Sequence, residues 1–357
     1  MKQMLRSFIF GIIVFSLLTP LVLAENNNIL FYGKDLGKIE KSIKVDYSII
    51  KTQIIPQNLS QFRVIALITP EKGLFPDDNV RLLDFVNSGG TLIIIAEDFT
   101  EGSSTSQLNR LLSSFSVEFN VDRLYDDNNF FTYSNNVIIA GDDNFLPSKG
   151  VSRMLYVNGC TLKGDFDGFL KSSSTAYSKN YDGFETYTKG EKPPVSAFIN
   201  YGKGKIILVG DRSIFEDTYV VQGDNALFVM NLFDFATGKN DLISERVEYK
   251  EKYDDAAGSF LSYFDSKKKD GFSELKPNET IQITSLIENG YNNYIFGLYK
   301  EAYTDLSQAI NNFESQMESL DTEFNEKLQQ AKTLETEARN AGVSIADEAV
   351  FNEGVYY

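Results

Sequence analysis

Two short polar sequences follow apolar runs in this chain and hold its best candidates for chemistry. Glu97 and Asp98 come directly after the run 91–96, and Asp211 and Arg212 come after the run 205–210. Open α/β sheets place their ligands at the C-terminal ends of strands. Each pair has two readings. Glu97 and Asp98 are either oxygen ligands for a cation or a loop of two solvated acids. Asp211 is either a functional carboxylate or a structural one, capping a short helix over 213–216 or pairing with Arg212. The structural reading is the more ordinary of the two in both places.

The chain contains no histidine. That excludes Ser-His-Asp and Cys-His nucleophile pairs, imidazole general bases and His-ligated zinc. The serine run at 172–174 therefore has no base to activate it. The single cysteine, Cys160, cannot form an intramolecular disulfide, and its apolar neighbours predict a buried structural thiol. Gly202 and Gly204 precede an apolar strand. Phosphate-cradling glycines follow a strand and open a helix, so these read as a hairpin turn. Asp142, Asp143 and Asn144 lack the ligand spacing and closing glutamate of a calcium loop, and residues 126–129 read as a turn. No cofactor and no metal site is expected. The formal net charge of −16 argues against nucleic acid, whose binders need a basic face. It also argues against an anionic membrane surface.

Lys2 and Arg6, the apolar run 8–23 and the small residue Ala24 follow the pattern of a secretory signal, with Pro20 near its end. The run is shorter than the roughly 20 residues of a spanning helix. Cleavage near Ala24 is the expected reading, and an uncleaved N-terminal anchor is the alternative and the sole expected membrane contact. The protein is thus expected to be extracytoplasmic, secreted or held at the cell surface. In that setting Asn58 and Asn278, each in an Asn-X-Ser/Thr sequon, are candidate glycosylation sites.

To position the candidate carboxylates, the chain must build strands. Runs at 28–32, 63–68, 91–96 and 205–210 are continuously apolar, as strands of a parallel sheet covered on both faces must be. Helical periodicity at 77–86, 104–115 and 224–235 alternates with them, which predicts βαβ units. Shorter strands with polar loops fill 116–200. The α/β domain is therefore expected over 25–240. Residues 241–277, charged and containing Lys267, Lys268 and Lys269, read as a linker with at most a short helix at 259–264. An acidic helical tail follows over 278–357, a hairpin or repeat of helices at 281–293, 298–341 and 344–352. Most of the negative charge lies after residue 240. In the long helix Leu306, Ile310, Phe313, Met317, Leu320 and Phe324 recur at steps of three and four. The first tail helix is too short to cover this stripe, so it is expected to meet another helix, another copy, or a protein partner.

Three stretches together resemble a known superfamily. They are Gly89 and Gly90 before the run 91–96 with Glu97 and Asp98; Leu108, Leu111 and Leu112 before Val117 and Phe119; and Tyr201 to Ser213, with its Gly202, Gly204, Gly210 and Asp211, before Asp224 to Leu227. Over residues 27–238 the chain resembles uncharacterised extracytoplasmic domains of the class I glutamine-amidotransferase-like superfamily. Relatives there include gliding-motility ABC-transporter auxiliary proteins and the N-terminal domain of an intraflagellar-transport subunit. The resemblance implies a flavodoxin-like three-layer sandwich with a mainly parallel sheet. Active members use a cysteine nucleophile and a histidine base. Neither carries over, because histidine is absent and Cys160 lies in a strand-like stretch.

The expected function is that of a non-catalytic exported binding or scaffolding protein. The α/β domain takes a ligand or partner near Glu97, Asp98, Asp211 and Arg212, and the tail mediates assembly with a protein partner or a second copy. A carboxylate-based glycan hydrolase using Asp211 and Glu97 and an accessory subunit of a membrane transport complex are the rival readings.

Overall fold

The computed structural model describes residues 27–341 except Glu71. The expected signal (1–24) and the expected third tail helix (344–352) lie outside the described residues. The chain divides into two units, one ending at Ser244 and one beginning at Glu245.

The first unit opens with β1 (Asn28–Gly33), α1 (Ile39–Asp46), β2 (Ser48–Thr52), β3 (Val64–Ile68), α2 (Pro76–Asn87), β4 (Thr91–Ile95) and α3 (Gly102–Leu112). Short strands follow: β5 (Val117–Phe119), β6 (Asp122–Asp126), β7 (Phe130–Phe131), β8 (Tyr133–Ile139), β9 (Met154–Val157), β10 (Leu162–Gly164), β11 (Gly168–Lys171), β12 (Ala176–Asn180) and β13 (Glu185–Tyr187). It closes with β14 (Pro194–Tyr201), β15 (Gly204–Val209) and α4 (Asn225–Thr237).

The central sheet has seven strands in the order β11-β14-β15-β4-β3-β1-β2. The five from β15 to β2 run parallel, and β14 and β11 complete it as antiparallel strands. Every residue of β3 and β4 is buried, which is why both read as unbroken apolar runs. Alternate side chains serve opposite faces. Leu30, Ile65, Leu67, Leu92, Ile94, Ile206 and Leu208 pack with Leu82, Phe85 and Val86 of α2 and Leu108, Leu111 and Leu112 of α3. On the other face the Phe31 ring meets Phe233 of α4 edge-on at 5.6 Å. All 13 residues of α4 are buried, as expected for a helix apolar all round. Each fully buried Leu, Ile or Phe here contributes about 1.5–3 kcal/mol over an exposed one.

Local chemistry sets the boundaries. The cap position of α2 is Phe75, with Pro76 in the first turn, and Asp78 Oδ2 reaches back to accept the Phe75 N–H at 3.0 Å. That is the reciprocal half of a capping box. Between β14 and β15, Gly202 at φ +58° makes the tight turn. A β-carbon there would sit 2.1 Å from Asn87 Oδ1.

The second unit corrects the linker. Residues 241–277 are almost wholly helical: α5 (Asn240–Lys267) carries the chain past Ser244, and a π-type turn over Lys268–Phe272, with Gly271 at φ +104°, follows it. Then come α6 (Pro277–Ile295) and α7 (Tyr299–Asn340). Tyr253, Phe260 and Phe264 of α5 and Phe272 beyond it share one core with Ile283 of α6 and Ala302, Leu306, Ala309 and Phe313 of α7. The charges of 241–277 lie around an aromatic stripe, and the stripe decides the fold.

This core also corrects the proposed interface. Leu306 and Phe313 are buried in it, and Ile310, Met317 and Leu320 are partly buried against it. Only Phe324, 49% exposed, stays open. The stripe is covered by α6 and by α5, the segment that reads as a linker in sequence. Among the described residues, no helix is long and apolar enough to cross a membrane.

Candidate functional site

Parallel pairing sets the site. Val209 of β15 lies opposite Ile95 of β4, so Asp211 and Glu97, each two residues further on, emerge side by side. Between them and β9 the chain passes very close. Gly210 N–H bonds to Val195 O, and Cys160 N–H to Gly210 O. A β-carbon on Gly210 would lie 2.4 Å from Cys160 O, so only glycine fits.

The structure brings the four predicted residues together and gives them different tasks. Asp211 is fully buried. Its Oδ2 accepts the Val157 N–H at 2.7 Å, and its Oδ1 accepts the Ser213 N–H at 2.7 Å and lies 2.6 Å from Ser213 Oγ. It ties the end of β9 to the end of β15. Burial pushes its carboxyl up to about 7, against the pull of these donors. Asp98 is also fully buried. Its Oδ1 accepts the Thr100 N–H at 2.8 Å, capping the turn Phe99–Glu101, and its Oδ2 pairs with Arg123. The Arg123 guanidinium lies over the Phe99 ring at 4.5 Å. Both aspartates are frame residues, with their oxygens committed to the protein.

Glu97 and Arg212 are different. They line a pocket of about 190 Å³ together with Thr100, Glu101, Val157, Asn158, Ser213, Glu216 and Tyr219. Glu97 is 6% exposed. Its Oε2 lies 3.3 Å from Arg212 Nε, yet the pair is not aligned for a hydrogen bond. Among the described residues, Glu97 Oε1 and Arg212 Nε have no hydrogen-bond partner. Arg212 Nη1 is held by Glu216, and Glu101 at the rim pairs with Lys34. Burial first, and then the neighbouring Asp211 carboxyl, push Glu97 up to about 10; Arg212 pulls the other way. At neutral pH Glu97 therefore carries a proton.

Strain gathers at the same end of the sheet. Thr69, just after β3, sits at φ +32°, and Asn158 of the pocket wall at φ +57°. A β-branched residue at positive φ is a true outlier, and such strain tends to collect at functional sites. Thr69 Oγ1 is also buried without a partner among the described residues.

Sequence reasoning found Glu97 and Arg212 but not Thr100, Asn158 or Tyr219, which converge from separate segments. Glu216 was legible from its i,i+4 spacing to Arg212. Elsewhere, Asp142 Oδ1 accepts the Asn144 N–H within a local turn, and Asp126 Oδ1 accepts the Asn128 and Asn129 N–H groups at the predicted turn. Ser173 Oγ donates to Asp126 Oδ2. Asn58 and Asn278 are both exposed.

Two consequences follow for substitutions. Asp211→Asn turns an amide NH2 toward one of the backbone donors. It is expected to cost about 1–3 kcal/mol, read as a lower midpoint in urea unfolding. Cys160 is fully buried, and burial raises its thiol well above the usual range. It is expected to stay unlabelled by an aromatic disulfide reagent in native buffer and to react fully in denaturant. Fast native labelling would contradict the burial.

None of the curated proteins matches the chain in sequence. Among solved structures, the chain is similar to the mmIFT52 N-terminal domain, at 18% identity and a TM-score of 0.49, over 58% of this chain and 97% of that one. It is similar to a cytoplasmic protein from Salmonella typhimurium LT2, at 14% identity and a TM-score of 0.40, over 58% and 99%. A putative ThuA-like protein from Parabacteroides merdae ATCC 43184 matches at 12% identity and a TM-score of 0.37, over 59% and 90%. In sequence, residues 56–233, just under half of the chain, match the family model described as a domain of unknown function, DUF4350.

Proposed function

We propose that this is an exported binding protein without catalytic activity, in which the α/β unit takes a small polar ligand at the C-terminal ends of β4 and β15. The observation that carries the reading is the pair of unsatisfied atoms, Glu97 Oε1 and Arg212 Nε, in residues that line one pocket. Leaving such groups unpaired costs about 1–3 kcal/mol each, and a ligand that satisfies them recovers that cost on binding. The full burial of Asp211, bound to Val157 and Ser213 and absent from the pocket lining, supports binding over hydrolysis, because it leaves Asp211 no access to a sugar. The signal-like residues 1–24 support export. The mainly parallel sheet supports a flavodoxin-like arrangement, and the glycine turns with Asp211 support placement in the extracytoplasmic amidotransferase-like branch.

We extend the proposal to the second unit as an assembly element. Residues 321–340 of α7 contain no buried position, and Phe324 and Leu334 are 49% and 65% exposed there. Helices in proteins draw most of their stability from packing an apolar face, which supports a partner for this part of α7.

Thermal-shift measurements on the protein and its Glu97→Gln variant, over a panel of small polar metabolites and with chromogenic glycosides, test the reading. At least one compound should raise Tm in the parent and lose that effect in the variant, with no glycoside hydrolysed. Hydrolysis, or a panel without any Glu97-dependent shift, contradicts it.

A further inference from the structure

We infer that the pocket of Glu97 and Arg212 takes a small cationic amine that also carries a hydrogen-bond acceptor, with the ammonium on Glu97 and the acceptor on Arg212 Nε. The inference rests on the binding role proposed above and names the chemistry of its ligand.

The charges around the pocket do not balance. Carboxyls face it or back it from four places: Glu97 and Asp98 after β4, Glu101 in the following turn, Asp211 after β15, and Glu216 beyond it. Against these five stand Arg212, Arg123 on β6 and Lys34 after β1. Tyr156 and Cys160, both close enough to feel Glu97, are held neutral by burial. The existing cations are already engaged: Lys34 on Glu101, Arg123 on Asp98, Arg212 on Glu216. The excess is negative and it falls on Glu97, a buried carboxyl in the pocket whose Oε1 meets no donor among the described residues. In the free protein a proton relieves it. A ligand cation does the same and adds hydrogen bonds the proton cannot.

An anion would meet this excess without compensation, and Arg212 is too engaged with Glu216 to supply it. A neutral polar molecule would satisfy the unpaired atoms but leave the charge. The terminal torsion of a glutamate is broad, so Glu97 can present either oxygen to the pocket floor. Arg212 Nε supplies a donor for a hydroxyl or carbonyl beside the ammonium. The volume of about 190 Å³ limits the ligand to a small molecule.

The step balances as an exchange. The protonated Glu97 carboxyl and the alkylammonium become an ion pair, and one proton leaves to buffer. Apparent affinity should therefore rise by about tenfold per pH unit between about pH 6 and pH 8, while the amine stays charged.

Three probes of matched size separate the possibilities: ethanolamine, ethylene glycol and glycolate, titrated calorimetrically into the protein. Ethanolamine is expected to bind at least about tenfold more tightly than the diol, with glycolate not binding. Repeating the ethanolamine titration in two buffers of different ionisation enthalpy should report about one proton released, which needs no variant. Glu97→Gln should lose at least about tenfold of the affinity. Equal binding of the diol, preferential binding of glycolate, or no proton release overturns the inference. If all three probes fail while another compound from the metabolite panel binds through Glu97, the cation inference falls and the binding role stands. If nothing binds, both fall.

Discussion

Replacing Glu97 by glutamine is expected to make the protein more stable above neutral pH, although it removes one side of an apparent ion pair. Glu97 is shifted from an ordinary 4.5 to about 10. Between those values the folded chain keeps a proton that the unfolded chain has released. Raising the pH therefore favours unfolding, by about 1.4 kcal/mol per unit for each such group. Stability from Glu97 is full below its unfolded value and is lost as pH climbs toward about 10. Asp211, raised from 3.8 to about 7, adds the same sign over the lower part of that range. At pH 7 the Glu97 carboxyl alone costs about 3 kcal/mol. Glutamine keeps the shape and has no proton to lose. Denaturant unfolding at about pH 5, 7 and 9 checks this. The parent should weaken across the series, and the variant should be flat from pH 7 upward and stronger than the parent there. A flat parent, or a variant weaker at every pH, contradicts the protonated state of Glu97.

The second large effect is expected in the helical unit. Phe313 is 1% exposed and its ring meets four others: Phe272 at 5.0 Å, Phe264 at 5.4 Å, Tyr263 at 5.7 Å and Phe260 at 5.8 Å. Three of these come from α5 and one from the turn after it, so Phe313 joins α7 to the segment that reads as a linker in sequence. Phe313→Ala should cost about 3–5 kcal/mol. Hydrogen exchange should show protection lost over residues 245–320 and retained in β3, β4 and β15. A cost below about 1 kcal/mol would mean that these aromatics do not form one core. Loss of protection spread evenly over β3 and β4 would mean that the two units are not separate in stability.

These two cases show where sequence was and was not enough. The strands β1, β3, β4 and β15 were legible because a sheet buried on both faces leaves no polar residue to interrupt the run. The edge strand β2, with exposed and half-exposed residues Ser48–Thr52, has no such signature, and α1 before it was missed with it. The strands β6 and β12 were missed for another reason. They alternate buried and half-exposed residues with polar side chains among them, and the segments around them are held by side-chain bonds such as Asp122 Oδ2 with Thr161 Oγ1 at 2.6 Å, across a distance in sequence that no local pattern records. In residues 241–277 the charged residues hide a helical spacing. Tyr253, Phe260 and Phe264 recur at seven and four residues, a helical stripe set among acids and lysines.

At the site, strand ends pointed to four residues that the fold brings close together. Their roles were not legible. Thr100 and Ser213 lie two residues from the aspartates they serve, but Arg123 and Val157 come from β6 and β9, which no local pattern places beside Asp98 and Asp211. What remains after those commitments, Glu97 Oε1 and Arg212 Nε without a partner among the described residues, defines the site by subtraction.

The proton of Glu97 is central to the pocket's chemistry. A carbon-13 NMR titration of the Glu97 carboxyl in the ligand-free protein measures it. A midpoint near 10, moving down when ethanolamine is added, is the expected result. A midpoint in the ordinary carboxylate range, unmoved by ethanolamine, would mean that Arg212 already neutralises Glu97, and that the pocket holds no unmet charge for a ligand to fill.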